Sequence, residues 1–148
     1  AGSWYWQSRT LSKLEKYENA LGSFNRALKI NPNDADNWWW QGMILYESEE
    51  YEKALISFDK ALKINPENAD NWWWQGMILR DLGEYEKALI SCNRALKINP
   101  NEASYWCLQG RTLYDLERHQ EALTYLEQAL KIDPEDGLAK FYLEKLNQ

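Results

Sequence analysis

The sequence predicts an all-α fold of stacked antiparallel helix pairs, and three observations lead to that prediction. The stretch Asn37 to Leu45, NWWWQGMIL, returns letter for letter at Asn71 to Leu79, 34 residues later. Each 34-residue unit contains two stretches in which apolar residues have helical spacing. Each unit also has a proline two residues before its end, and proline lacks the N–H group needed to continue a helix. Repeats of this length bury their apolar faces by stacking on one another as a solenoid.

Four repeats and a short remainder account for the whole chain. The units 1–34, 35–68, 69–102 and 103–136 align without a gap, and their equivalent prolines are Pro32, Pro66, Pro100 and Pro134. The second and third units share 25 of 34 residues, so a recent duplication or engineering is an alternative origin for their tryptophans. Residues 137–148 carry Phe141, Tyr142, Leu143 and Leu146 on one side, which predicts a capping helix. We therefore expect one domain over residues 1–148.

The second repeat illustrates the expected helix limits. Its first helix should begin after Pro32, with Asn33 or Asp34 capping the free N–H groups, and should end near Ser48. Its second helix should lie near Tyr51 to Ile64, where apolar residues recur at i, i+3, i+4 and i+7. Every repeat is thus expected to form a helical pair.

Small residues recur where the paired helices are expected to meet. They are Ser8, Gly42, Gly76 and Gly110 on the first helices, and Ala20, Ala54, Ala88 and Ala122 on the second. Large residues fill the space between them: Trp4, Trp38, Trp72 and Trp106, with Leu11, Leu45, Leu79 and Leu113. A 34-residue unit with tryptophan, a small residue four positions on, then Y, A, F, A and P resembles the tetratricopeptide repeat over residues 1–136. The resemblance implies a right-handed superhelical solenoid that binds other proteins through a concave groove and has no enzymatic activity.

The turn between the paired helices departs from that family pattern in three repeats. The family usually has glycine there, because glycine adopts a left-handed conformation without strain. Gly83 supplies it in the third repeat, whereas Glu15, Glu49 and Glu117 occupy the other turns. Those three turns are therefore expected to be strained or differently shaped.

Composition excludes several classes of partner. A net charge of −6, with lysine and arginine dispersed along the chain, argues against nucleic acid as a partner. No run of about 18 apolar residues is present, so no membrane insertion is expected. Two cysteines are too few for a disulfide framework, which favours a reducing, cytoplasmic location. The chain opens Ala-Gly-Ser without methionine, a start typical of a cloning remnant, so flanking segments are left open.

The residues needed for catalysis or metal binding are lacking. His119 is the only histidine, and in the family frame it takes a packing position. Cys92 also takes a packing position, while Cys107 lies on a first helix where exposure is open, with no base placed beside it. No glycine-rich phosphate loop or metal-ligand spacing appears. We therefore expect no catalytic residue, no metal and no cofactor.

The candidate binding site is centred on the aromatic residues that directly follow the core tryptophans in the sequence. Trp39, Met43 and Tyr46 fall at i, i+4 and i+7, a spacing that places them on one helix face. The resemblance implies that this face lines the groove. The candidate peptide-binding residues are Tyr5, Arg9, Trp39, Met43, Tyr46, Trp73, Met77, Arg80 and Arg111, and the expected acidic edges are Asp36, Glu47, Asp70, Asp81 and Asp115. Half-exposed aromatic rings here would form a patch on the order of 600 Å², more than most monomers leave without a use.

The expected ligand is a peptide segment of a protein partner. The clamp with which part of the family grips chaperone carboxylates is absent, since its positions hold Tyr5, Arg9, Trp40, Asp70 and Trp74. An aromatic floor with acidic edges suits a hydrophobic or proline-containing segment that carries lysine or arginine. Two alternatives stay open. The same surface could serve self-association, so that the chain forms homo-oligomers, and Trp6, Trp40 and Trp74 could either line the groove or pack against the next repeat.

Overall fold

Eight α-helices make up the part of the chain that the structure describes. The structure is a computed structural model, and it describes the backbone of residues 2–148 and the side chains of residues 13–148. The helices are α1 (Gly2–Ile30), α2 (Ala35–Glu47), α3 (Tyr51–Ile64), α4 (Ala69–Asp81), α5 (Tyr85–Ile98), α6 (Ala103–Asp115), α7 (His119–Ile132) and α8 (Gly137–Leu146). Unit 1 (Ala1–Asn65) contains α1 to α3, and unit 2 (Pro66–Gln148) contains α4 to α8. The all-α prediction is confirmed, and a single domain over residues 1–148 stays a prediction.

The prolines and caps set the helix ends as the sequence predicts. Each second helix ends two residues before its proline, as α3 does at Ile64 ahead of Pro66. Asp34 is the capping residue of α2, because its carboxylate accepts the backbone N–H groups of Asp36 at 3.1 Å and Asn37 at 3.3 Å. This contact satisfies two of the four N–H groups that a helix start leaves without a backbone partner.

The helical pair predicted for the first repeat is wrong. Helix α1 continues from Gly2 to Ile30 without a break at Glu15. The segment around Glu15 contains good helix formers and no glycine, so a turn there would place a non-glycine residue in the left-handed region at a cost of about 1–2 kcal/mol. At Glu49 and Glu117 this cost is offset by the contact between the paired helices, in which Phe58 packs on Gly42 and Leu126 packs on Gly110.

Close approach between the paired helices is confirmed at three glycines. A Cβ atom on Gly42 would lie 2.9 Å from the Phe58 ring, and one on Gly110 would lie 2.6 Å from Leu126 Cγ. A Cβ atom on Gly76 would lie 3.4 Å from the Ala88 carbonyl oxygen of the paired helix and 3.3 Å from Leu108 of the next repeat. The glycines therefore let large side chains of the facing helix pack directly on the helix backbone.

Buried polar contacts align consecutive repeats within each unit. In unit 1, Ser57 Oγ donates to Gln41 Oε1 at 2.9 Å, and the Gln41 amide donates to Asn25 on α1. In unit 2, the Gln109 amide donates to Asn93 Oδ1 at 3.0 Å. Because a buried amide without a partner costs about 1–3 kcal/mol, these contacts favour one alignment of neighbouring repeats over others.

Three turns use the left-handed conformation. Its φ values are +63° at Glu49, +61° at Glu117 and +80° at Gly83. The strain expected at Glu49 and Glu117 is therefore confirmed, whereas the strain expected at Glu15 is not found, since that residue lies inside α1.

Both cysteines are free thiols in the interior. Cys92 is buried as predicted, and its Sγ donates to the Tyr105 carbonyl at 3.1 Å. Cys107, for which exposure was left open, is also buried, because α8 packs over it through Ala139 and partly buried Leu143. Burial raises the pKa of each thiol to about 12, so both are protonated at neutral pH.

Substitution of Gly110 by alanine should destabilise the fold by about 1–3 kcal/mol, because the added methyl group overlaps Leu126. Gly22→Ala is the matched control. The nearest atom to its added methyl lies at 3.9 Å, and helix propensity alone should stabilise it by about 1 kcal/mol. Urea unfolding measures both, and equal effects would contradict the packing role of Gly110.

Glycine at the strained turns should stabilise the protein. Glu117→Gly is expected to raise the free energy of unfolding by about 0.5–1 kcal/mol, since glycine reaches positive φ without a steric cost. Glu52→Gly, in the first turn of α3, should instead lower it by about 1 kcal/mol. A destabilised Glu117→Gly protein in thermal unfolding would show that the turn is not strained.

Native thiols should resist alkylation by iodoacetamide near pH 8 and react after unfolding in urea, as followed by mass spectrometry. The raised pKa values also predict a pH dependence of stability. The contribution of the two buried thiols to the free energy of unfolding is fully present below the unfolded thiol pKa of about 8.5. It is lost as pH rises toward about 12. A Cys92→Ala/Cys107→Ala variant should lose less stability over that alkaline range, and an unchanged slope would contradict this assignment.

Candidate functional site

The tryptophans at the core position fasten each first helix to the end of the preceding repeat. Their indole N–H groups donate to proline carbonyls at 2.7–2.8 Å: Trp38 to Pro32, Trp72 to Pro66 and Trp106 to Pro100. Lys60 lies 4.5 Å from the centre of the Trp38 ring, and Arg94 lies 4.9 Å from that of Trp72. These rings are half-buried at the edge of the core, so they are structural residues with one face toward solvent.

In unit 1, the candidate stripe of α2 is half-buried. Trp39, Met43 and Tyr46 are all partly buried, and none is sealed in the interior. The Trp39 ring packs edge-on against Trp40 with ring centres 4.7 Å apart, and Tyr46 packs against Tyr51 at 5.5 Å. Neighbouring rings thus pack against both aromatic side chains of the stripe, and the part of the stripe that stays accessible is apolar.

In unit 2, Trp73 contributes to packing between repeats. Its indole N–H donates to the Ser104 carbonyl at 3.1 Å, and its ring packs against the buried cluster of Ala95, Leu96 and Tyr105. The residue is still only partly buried, as is Met77 on the same face of α4. Trp73 therefore supports the start of α6 while leaving part of its ring accessible.

The two candidate arginines of unit 2 both meet the capping helix. Arg80 Nε donates to Asp115 at 2.6 Å, and its Nη2 donates to the Tyr142 hydroxyl at 3.1 Å. The Arg111 guanidinium lies 5.7 Å from the centre of the same Tyr142 ring. Tyr142 is thus the residue that sequence reasoning missed, and the only signal for it was the apolar side of residues 137–148.

The expected acidic edges are partly neutralised within unit 2. Asp115 is paired with Arg80, and both side chains are largely buried. Asp70 accepts a hydrogen bond from the Tyr105 hydroxyl, and burial together with the adjacent carboxylate raises the pKa of Tyr105. In unit 1, Asp36 and Glu47 are exposed at either end of α2. The acidic edge therefore persists beside the α2 stripe.

The repeat position that holds the third tryptophan of each run is buried in one repeat and exposed in another. Leu108, the equivalent residue of the fourth repeat, is fully buried against Gly76, so this position packs between repeats in unit 2. Trp40 in unit 1 is instead 51% exposed. Trp74 is half-buried and packs edge-on against Trp73 with ring centres 4.8 Å apart.

Several predicted residues fall where no side chain is described. Tyr5 and Arg9 of the candidate site, and Trp4, Trp6, Ser8 and Leu11, lie outside the described side chains, which begin at residue 13. Their assignments stay predictions.

His119 is exposed at the start of α7, with its ring edge-on to Tyr114 at 5.4 Å. Across residues 13–148, no three potential metal ligands lie close together. None of the helices in the described chain combines the length and apolarity needed to cross a bilayer.

Two family models match the chain. One is described as anaphase-promoting complex, cyclosome, subunit 3 and matches residues 47–129, and the other is described as tetratricopeptide repeat and matches residues 7–69. No curated protein sequence matches the chain.

Solved structures give the same fold. A form of MamA from Desulfovibrio magneticus RS-1 has a TM-score of 0.84 at 22% identity, covering 97% of this chain and 82% of its own. YrrB, described as a TPR protein with an unusual peptide-binding site, has a TM-score of 0.78 at 26% identity, covering 93% of this chain and 71% of its own.

A third solved structure has a bound peptide. The first TPR of Spaghetti bound to an HSP90 peptide has a TM-score of 0.75 at 21% identity, covering 77% of this chain and 90% of its own. The repeated helix pairs, the matching family models and these folds agree with the resemblance drawn from the sequence. The chain belongs to the tetratricopeptide repeat family, whose members mediate protein–protein interaction.

Proposed function

We propose that this protein is a non-enzymatic interaction module that binds a hydrophobic or proline-containing peptide, carrying lysine or arginine, on the aromatic face of its first helices. One observation carries the proposal: Trp39, Met43 and Tyr46 form a partly exposed stripe along α2, and neighbouring rings pack against its two aromatic side chains. Exposed tryptophan and methionine are costly to leave in water and are enriched at the centres of binding interfaces.

The charges beside the stripe favour a basic ligand. Asp36 and Glu47 are exposed at the two ends of α2, within reach of a chain lying along the stripe. A lysine or arginine of the peptide would also stack on the indole faces. An acidic peptide is not favoured as the ligand, because the Arg80 guanidinium already donates to Asp115 and to the Tyr142 hydroxyl.

In unit 2, the proposed ligand-facing residues are Trp73 and Met77, with Arg80 and Arg111 at the border. Arg80 donates to the Tyr142 hydroxyl and Arg111 lies over the Tyr142 ring, so we assign both arginines a positioning role beside the ligand. Tyr5 and Arg9 complete the proposed set at the first repeat. YrrB and Spaghetti, whose descriptions name a peptide-binding site and a bound peptide, support a peptide as the class of ligand.

The absence of enzymatic activity belongs to the same proposal. Both thiols are buried with raised pKa values, which disfavours a nucleophilic role. Two free cysteines also favour the reducing, cytoplasmic location expected from composition.

A random peptide array tests the proposal. The purified protein should retain peptides enriched in apolar residues and proline together with lysine or arginine. Trp39→Ala/Met43→Ala should weaken binding of the best peptide by about 30-fold or more, since interface tryptophans contribute roughly 2 kcal/mol. Fluorescence anisotropy with the labelled peptide measures the loss.

The matched control is Ile56→Ala/Ile90→Ala, which removes two exposed apolar side chains from the second helices. It should bind the peptide as the unmodified protein does. Equal losses in both variants, or no peptide retained by the array, would refute the proposal. Circular dichroism of each variant separates loss of binding from loss of fold.

Self-association through the same stripe is the alternative function. Light scattering over a range of concentrations distinguishes it, because an assembly held by the stripe would dissociate in the Trp39→Ala/Met43→Ala variant.

A further inference from the structure

An open pocket of about 320 Å³ lies in unit 1 between α1, α2 and α3. Its lining includes Leu21 on α1, Trp38 and Leu45 on α2, and Ser57 on α3. The volume is within the range of small-ligand sites in proteins, roughly 300–1,000 Å³. The α2 stripe does not contribute to this lining, so the pocket is separate from the proposed peptide surface.

The equivalent space of the fourth repeat holds an aromatic side chain. Tyr125 takes the repeat position of Ser57, and Trp106 takes that of Trp38. The centres of the Tyr125 and Trp106 rings are 5.4 Å apart, and their planes are tilted by 37°, which is a favourable aromatic contact. The fourth repeat therefore supplies from its own chain a ring that the second repeat lacks.

The apolar walls of the pocket show the same contrast. Tyr125 packs against the buried cluster of the fourth repeat that contains Leu89, 8% exposed, and Leu113, 2% exposed. Their equivalents in unit 1 are Leu21, which is only partly buried, and Leu45. Both of these leucines line the pocket. A ring placed in the pocket would thus meet the same kinds of side chain that surround Tyr125.

The polar groups of α3 at the pocket favour a phenol over a plain apolar ring. Glu50 and Lys53 line the pocket and form an ion pair of 3.3 Å. Their equivalents in the fourth repeat are Arg118 and Glu121. The hydrogen bond to Glu121 is the main cause that raises the pKa of Arg118, and the charge of the Tyr125 phenol adds to this shift, so the Tyr125 hydroxyl lies near Arg118. A phenol in unit 1 would in the same way direct its hydroxyl toward Glu50.

The buried polar groups of the pocket are already paired. Ser57 donates to Gln41 at 2.9 Å, and the Gln41 amide donates to Asn25. Because a buried polar group left without a partner is costly, a ligand gains from an apolar ring beside these residues only if they keep their own hydrogen bonds. The pocket meets that condition.

We propose that this pocket binds the side chain of a tyrosine presented by a partner protein. The ring lies against Trp38 as Tyr125 lies against Trp106, and its hydroxyl donates to the Glu50 carboxylate. The proposal does not depend on the peptide-binding stripe, since it uses other residues of unit 1.

Titration with para-cresol, which is the tyrosine side chain as a free molecule, tests the proposal by heteronuclear NMR. The indole N–H signal of Trp38 should shift to saturation with a dissociation constant on the order of 1 mM, as expected for so small a ligand. The signal of Trp106 should not shift, because Tyr125 already fills its site. Toluene, which lacks the hydroxyl, should bind about threefold more weakly or worse. A Trp38 signal that does not saturate, or toluene that binds as tightly as para-cresol, would overturn the proposal.

Ser57→Tyr fills the pocket from within, because it gives the second repeat the residue of the fourth. This variant should lose the para-cresol shift at Trp38. The control is Ser23→Tyr, the same substitution at the equivalent position of the first repeat. Residue 23 is two positions from Leu21 and so projects from the opposite side of α1, and its variant should bind para-cresol as the unmodified protein does. Undiminished binding by a folded Ser57→Tyr variant would contradict the assignment of the site.

Tyr125→Ser is the reverse exchange, and it keeps the test decisive where Ser57→Tyr does not fold. It should open a second pocket, so that the Trp106 signal responds to para-cresol. It should also lower the melting temperature, and para-cresol should restore part of the loss by binding the folded state. A Trp106 signal that stays unresponsive in the folded variant would show that a missing tyrosine does not make this site.

Acetyl-tyrosine amide distinguishes a tyrosine within a protein from a free phenol. It should bind at Trp38 at least as tightly as para-cresol does. Exclusion of the amide would assign the pocket to a small phenol and overturn the proposal. Trp39→Ala/Met43→Ala should leave para-cresol binding unchanged, so failure of the stripe as a peptide site and failure of this pocket are separate results. Loss of para-cresol binding in that variant would overturn the pocket as an independent site.

Discussion

The contact between the first and second helix of a repeat is the interaction on which the rest of the structure depends. At Gly42 and Gly110 the absence of a side chain brings Phe58 and Leu126 directly onto a helix backbone. Dispersion and burial at such close contacts stabilise a pair of helices that would be too short to persist alone in water. The turns follow from this contact, since Glu49 and Glu117 adopt positive φ only where the paired helices hold them there.

The same contact explains the position of the proposed binding surface. Because α3 buries one side of α2, another side of α2 is left to form the stripe of Trp39, Met43 and Tyr46. Rings beside the stripe restrict its side chains, which lowers the entropy lost when a ligand binds.

Part of the candidate site was accessible from the sequence and part was not. Position within the repeat predicted the α2 stripe, because i, i+4 and i+7 residues share a helix face whatever surrounds it. The setting of Arg80 was not predictable, since its partners Asp115 and Tyr142 are 35 and 62 residues away. The burial of Cys107 likewise depends on where α8 docks, and an apolar helix face does not specify its docking site by itself.

The sequence by itself determined the all-α class, the 34-residue period, and the ends of α2 and α3, because proline and capping groups act within a few residues of the chain. Tertiary structure decided which turns form. Glu15 and Glu49 occupy equivalent positions, yet one lies inside a continuous helix and the other at φ +63°. The intrinsic cost of the left-handed conformation is the same for both, and at Glu49 the packing of Phe58 on Gly42 between the paired helices offsets it.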